Sequence, residues 1–196
     1  MIKIESLKDY ANKKEQEDLG NKIYNLISFA DTDYPNYKDW FFEKQLFETI
    51  NSENRNIFFV RNSNNKDEII AVACLKNNNE KKICTLYVLN KFRGQGIGNM
   101  LIEKSMDWLG TTKPLITLTD YKYEMFKPII DKYNWELTEV VNDLYKVNSK
   151  ELCFNGTLNR NKSKLLKKIW KLFSYLFYSN SILIPNTPYF SCISLE

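Results

Sequence analysis

Three of the chain's six glycines, Gly94, Gly96 and Gly98, fall within five residues and follow directly on Arg93. Glycine lets a backbone turn sharply and lets a ligand approach it closely. The cluster sits between an apolar run, Ile83 to Leu89, and a helical pattern of Ile97, Leu101, Ile102, Trp108 and Leu109 that stops at Gly110. A strand, a glycine loop and a helix N-terminus in succession form an anion cradle, suited best to phosphate, because the first helical N–H groups have no partner and carry partial positive charge. Two common cradles are excluded. No Gly-Lys-Ser/Thr follows, so the loop is not a P-loop. The spacing is Gly-x-Gly-x-Gly and lacks the third glycine of the dinucleotide fingerprint.

Histidine is absent, which removes Ser-His-Asp and Cys-His nucleophilic sites, His-Glu-x-x-His zinc proteases and zinc fingers built on histidine. The four cysteines, Cys74, Cys84, Cys153 and Cys192, form no Cys-x-x-Cys pair, so no metal site and no thioredoxin-type site is expected. A hairpin centred on Asn79 would bring Cys74 opposite Cys84, as a reactive pair or as two small buried residues; no histidine exists to activate either thiol.

The elements that must hold the loop follow from periodicity. At 196 residues, with 43% hydrophobic and 27% charged residues, the chain has the balance of one folded domain and no need of a disulfide staple. Ile2 and Ile4 suggest an opening strand, and Leu19, Ile23, Leu26, Ile27 and Ala30 a helix over about 12–30. Asp39 is the expected cap of a second helix through Phe42, Leu46 and Ile50. Strands follow at Ile57–Val60, Ile69–Leu75 and Ile83–Leu89, then the helix ending at Gly110 and a strand at Leu115–Leu118. Tyr123–Tyr133 reads as a helix despite Pro128, which costs about 3 kcal/mol in a helix interior. Leu137–Val141 and Glu151–Phe154 close the order as two strands.

The segment Leu86-Tyr87-Val88-Leu89-Asn90-Lys91-Phe92-Arg93-Gly94-Gln95-Gly96-Ile97-Gly98 resembles the pyrophosphate loop of the GNAT N-acetyltransferase superfamily, Gln/Arg-x-x-Gly-x-Gly/Ala, with its preceding strand. The element order agrees with that family over about residues 1–156. The resemblance implies an α/β fold: a mixed, mostly antiparallel twisted sheet flanked by helices. It implies acetyl-CoA as cosubstrate, with Arg93, Gly94, Gln95, Gly96, Ile97, Gly98 and Asn99 around its pyrophosphate and Tyr87 and Val88 along the pantetheine arm. The strands at Val88 and Leu115–Leu118 would splay to admit it, and a backbone N–H at about Val88 would polarise the thioester carbonyl.

Acetyl transfer needs a neutral amine, and freeing a lysine-type amine of its proton at pH 7.4 costs about 4 kcal/mol. Many family members carry a glutamate on the motif strand as base; here Lys82-Ile83-Cys84-Thr85-Leu86-Tyr87-Val88 has no carboxylate. Glu68, Glu80 and Asp120 are the nearest acids in sequence and remain unresolved alternatives. The family's thiolate-protonating tyrosine is also displaced. Asn134-Trp135 stands for its Gly-Phe and Ile130 occupies the tyrosine position, which leaves Tyr123, or less directly Tyr121, as the acid. By the same resemblance the connection between the first two helices, Asp31 to Phe41, walls the acceptor site, and its three acids and aromatics suit a cationic small-molecule or peptide amine.

Residues 1–151 carry 22 basic and 23 acidic side chains, whereas 152–196 carry six basic residues against Glu196. Residues 1–157 form the expected catalytic domain and 158–196 a basic amphipathic helical tail with Leu165, Ile169, Leu172, Phe173 and Leu176 on one stripe. The tail suits the protein's own surface, a second subunit in a homodimer or an anionic membrane, and less well nucleic acid. Met1 to Glu5 lack an apolar signal-peptide core and no run of 18 apolar residues follows, so a cytoplasmic protein with reduced thiols is expected. The function expected is direct transfer of acetyl from acetyl-CoA to a primary amine. The alternatives are a CoA-binding module without chemistry and a toxin-like enzyme acetylating charged tRNA.

Overall fold

The computed structural model describes residues 2–158; the tail reading lies outside them. β1 (Ile4–Ser6) is followed by α1 (Lys13–Ile27), whose first two free N–H groups, on Lys14 and Glu15, are capped by the Asn12 side chain. A 3-10 stretch, Ser28–Thr32, continues it. The second helix, α2, is one continuous helical run of three parts: Tyr37–Asp39, a π-helical Trp40–Leu46 and Phe47–Asn51. Asp39 is therefore inside the helix and not its cap. The chain enters through Asn36, left-handed at φ 62°, a conformation Asn adopts more cheaply than most residues.

β2 (Arg55–Asn62), β3 (Asn65–Asn77) and β4 (Lys81–Val88) form an antiparallel meander. α3 (Ile97–Leu109) leads to β5 (Leu115–Thr119), α4 (Tyr123–Lys132), β6 (Leu137–Asn142) and β7 (Lys150–Phe154). The seven strands form one sheet in the order β1-β2-β3-β4-β5-β7-β6, antiparallel throughout except for β4 against β5. Pro128 sits within α4 on its exposed side. Asn134 takes φ 49° just past α4, and buried Trp135 donates from Nε1 to the Thr112 carbonyl at 3.0 Å. Among the described residues no helix is long and apolar enough to cross a membrane.

Each face of the sheet carries its own core. Phe58, Val60, Leu75, Ile83, Ile116, Leu118 and Phe154 pack against α3 and α4. Ile57, Phe59, Val72 and Cys74 alternate with them and pack against α1 and α2. This double burial explains the unbroken apolar run of β3. Buried Arg55, at the start of β2, joins that second core to the π-helical segment. Its Nε donates to Glu48 and its Nη1 to the Gln45 side-chain oxygen, both at 2.9 Å.

Cys74 is not in register with Cys84, although both lie on the α1–α2 face. β4 has a bulge: Leu75 pairs with Ile83, but Cys74 pairs with Thr85, so Cys84 is the extra residue. Three cysteines among the described residues, Cys74, Cys84 and Cys153, are free thiols, and burial raises the pKa of Cys74 far from reactivity.

The tight seat of α1 on α2 gives one test. A Cβ built on Gly20 would lie 2.5 Å from a Leu46 methyl. Gly20→Leu should lower stability by about 1–3 kcal/mol through overpacking, read as an earlier urea midpoint with an unchanged slope.

Candidate active site

The bulge at Cys84 bends β4 immediately after its last contact with β5. The parallel ladder comprises only Lys82↔Leu115 and Ile83↔Ile116. Beyond it the two strands diverge. Leu89 N–H donates to the Ile70 carbonyl at 2.8 Å, which fixes the alternation of the β3–β4 ladder. Residues 87 and 89 turn their backbone groups toward β3, and residues 86 and 88 turn theirs toward the gap. Tyr87 is thus engaged by its backbone with Val72, and Val88 is the residue that presents backbone to the gap. The Tyr87 ring lies on the α1–α2 face, 4.7 Å from the Phe29 ring centroid.

The glycine loop closes one end of this gap. After a 3-10 turn, Asn90–Phe92, the backbone turns left-handed at Gly94 (φ 75°) and Gly96 (φ 82°), the latter capping α3 without a side chain. No acidic residue stands in the first turn of α3. The N–H groups of Ile97, Gly98 and Asn99 therefore form an uncompensated positive end. Ile97 itself is buried in the core and anchors the turn. Gly98 is not left-handed, and a methyl there would meet only a Val88 methyl at 3.8 Å. The protein's own packing does not require glycine at 98, and the absence of a side chain leaves the helix end open to an anion. Arg93 folds back along β4, Nε donating to the Val88 carbonyl at 2.9 Å and Nη1 lying 3.4 Å from Met125 Sδ on α4. Gln95 donates weakly to the Lys91 carbonyl. Polar backbone, a cationic side chain and small residues all suit a pyrophosphate.

On the opposite face the structure brings together residues that sequence spacing did not. Glu151 on β7 lies opposite Thr119 of β5. Because Leu152 and Phe154 face the α3–α4 core, Glu151 and Cys153 face the α1–α2 side. Glu151 is only 2% exposed, and its Oε1 and the Thr119 Oγ1 are buried with no hydrogen-bond partner. Burial pushes the carboxyl from the usual 4.5 up to about 7, against opposing hydrogen bonds from Thr117 and Tyr34 and the charges of Lys82 and Lys122. The Tyr34 and Tyr145 rings meet edge to face at 5.1 Å, and burial, with Glu151 nearby, raises both hydroxyl pKa values. Tyr37, buried beneath them, hydrogen-bonds Thr85 at 2.8 Å.

This geometry corrects the reading of an acidic acceptor wall. Asp33 is buried and paired with Lys122 at 2.8 Å; burial raises its pKa, but Lys122 and Tyr121 hold it below the ordinary value. Asp31 accepts the Tyr24 hydroxyl. Asp39 is exposed on α2. What the connection contributes is aromatic surface. The three acids nearest in sequence are also engaged: Glu68 with Lys91 and Asn62, Glu80 with Lys76, and Asp120 with the Tyr121 N–H. Tyr123 opens α4 and stacks on Phe154 at 6.4 Å, on the side of the sheet where α4 approaches the glycine loop through Met125. Ile130, at the family's tyrosine position, is core. Among the described residues no cluster could hold a metal ion.

A sheet split between two strands, with an anion cradle at its end, defines an acyl-CoA-dependent acyltransferase. The family model described as acetyltransferase (GNAT) matches residues 21–119, half of the chain, and the chain belongs to that family, whose cosubstrate is acetyl-CoA. No curated protein sequence matches it. Among solved structures, a GNAT-family protein from Desulfovibrio desulfuricans superposes with a TM-score of 0.58 at 9% identity, covering 79% of this chain and 97% of that one. The NatC complex bound to Gag peptide and CoA gives 0.60 at 16% identity, over 78% and 96%. NAA60 of Arabidopsis thaliana in complex with acetyl-CoA gives 0.55 at 12%, over 79% and 97%. At these identities the likeness is one of fold.

Because the folded pKa of Glu151 is raised, the folded state binds more protons than the unfolded between pH 4.5 and 7. Its carboxyl therefore weakens the fold as pH rises through that window, by up to about 3 kcal/mol once fully ionised. Glu151→Gln should melt higher than the parent at pH 8, and the gain should vanish toward pH 5.

Proposed function

We propose that this protein transfers the acetyl group of acetyl-CoA directly to a primary amine in a ternary complex. The observation that carries this reading is the position of the β4–β5 gap. It ends at the glycine cradle and is flanked on the α1–α2 face by the cluster of Tyr34, Tyr145 and Glu151. Acetyl-CoA, when bound, supplies an acetyl carbon already activated as a thioester. The chain's own groups do the rest. The N–H groups of Ile97, Gly98 and Asn99, with Arg93, Gly94, Gln95 and Gly96, hold the pyrophosphate, and the Val88 N–H faces the thioester carbonyl. Tyr123 is the acid for the departing thiolate. The aromatic faces of Tyr34 and Tyr145 receive the amine and its carbon skeleton, which suits an amine whose neighbouring atoms are apolar. The peptide held in the NatC structure, of similar fold, supports a peptide as one acceptor class.

The deciding experiment is a thiol-release screen with acetyl-CoA and a panel of polyamines, aminoglycosides, short peptides and tRNA. Release above background with one amine class is expected. Acetyl-CoA binding without release on any amine would return the protein to a binding role. Gly96→Asp should abolish acetyl-CoA binding by calorimetry while the fold persists, because aspartate tolerates a left-handed backbone but sets a negative charge against the pyrophosphate. Tyr123→Phe should lower kcat more than it raises KM for acetyl-CoA, since proton donation belongs to the transition state; equal turnover would leave Tyr123 to its stacking on Phe154.

A further inference from the structure

We infer that Glu151 is the group that takes the proton from the acceptor ammonium. The inference rests on the transferase reading above and names the base that the motif strand lacks. Three observations converge on it. Its Oε1 is a buried oxygen with no hydrogen-bond partner, on a strand side shared with the Tyr34–Tyr145 ring pair. A native fold rarely leaves such an atom unpaired without a use for it. The acids nearest the motif strand in sequence, Glu68 and Glu80, are already paired with lysines, and Asp33 is paired with Lys122. Every element around Glu151 also tunes it. Lys82 comes from β4, Thr117 from β5, Lys122 from the turn after β5, Tyr34 from the α1–α2 connection and Tyr145 from the β6–β7 loop. Glu80, Cys84 and Cys153 lie close enough to act on Tyr145, and Lys146 on Asp33.

The balance is straightforward. The ammonium N–H bond breaks and its proton passes to Glu151 Oε1, leaving the nitrogen lone pair free. That nitrogen bonds to the thioester carbon, the carbon–sulfur bond breaks with Tyr123 giving its proton to the departing sulfur, and the second nitrogen proton restores Tyr123. Glu151 then returns its proton to water. Burial holds the carboxyl at about 7, close to the optimum for a base working at neutral pH. An ordinary surface carboxylate, at about 4.3, is a far weaker proton acceptor. Thr117 and Tyr34 stabilise the ionised carboxyl, and Oε1 has no hydrogen-bond partner of its own.

The test uses the full chain, acetyl-CoA and the best amine of the screen. Glu151→Gln should bind acetyl-CoA as the parent does, yet lose about 100-fold or more in kcat at pH 7. The parent should show an acid limb in kcat near pH 7; the variant should lose that limb and climb about tenfold per pH unit instead. Glu151→Asp should recover part of the rate and keep the limb. A variant that keeps the parent's rate and limb overturns the assignment of Glu151 and leaves the transferase reading standing. A parent that binds acetyl-CoA but acetylates nothing overturns both. Carboxyl carbon NMR of the parent with CoA bound gives a check that needs no variant: the Glu151 resonance should titrate at the midpoint of the kinetic limb, and a midpoint more than one unit away overturns the proposal.

Discussion

The parallel contact between β4 and β5 lasts for two residue pairs, and the rest of the molecule is arranged around its early end. A parallel ladder that continued would satisfy the backbone of both strands and leave no opening. The bulge at Cys84 prevents this by inserting a residue into β4 one position after Ile83, the last residue paired with β5. A bulge bends its strand and increases local twist, so β4 departs from its neighbour there. Val88 is then left with backbone groups directed into a gap, and Arg93 reaches back to occupy its carbonyl. The gap ends where α3 begins, so the uncompensated end of that helix faces the opening.

Holding a split sheet open requires that both halves be anchored without each other. The β1–β4 half is clamped by α1 and α2 on one face and α3 on the other. The β5–β7–β6 half has its own hydrogen-bonded ladder and shares α4 through Ile130, Trp135 and Phe154. Few polar contacts join the halves on the α1–α2 face. The Asp33–Lys122 pair ties the α1–α2 connection to the turn after β5, and the Tyr34–Tyr145 contact ties it to the β6–β7 loop. The first of these ties also engages Asp33, one of the three acids of the connection. The Glu151 carboxyl beside them keeps one buried oxygen without a partner, and its burial raises the carboxyl pKa.

Most of the element order was legible from residues alone. Helical spacing located α1, α3 and α4, and apolar runs located the strands, although β2 to β7 each proved longer than its apolar core and β1 begins only at Ile4, leaving Ile2 outside it. Arg61, Asn62 and Asn65 are strand residues that their types conceal, because ladder pairing and not side-chain burial holds them. The cap at Asp39 failed because Asn36, with a left-handed backbone, starts the helix one turn earlier. The Cys74–Cys84 pairing failed because a single inserted residue is invisible in composition, and it flips every side chain beyond it.

What the sequence determined by itself is the loop and its consequence. Three glycines and an arginine between a strand and a helix state a local chemistry, and local chemistry needs only neighbours in the chain. Glu151 is different. Nothing in Lys150-Glu151-Leu152-Cys153-Phe154 marks its acid as more than the polar end of a strand. Its role depends on its pairing with Thr119, on Tyr34 lying more than a hundred residues upstream, and on Tyr145 from the loop before it. The free energy of an ionised carboxyl is set by what surrounds it in space, and only the tertiary structure brings those surroundings together.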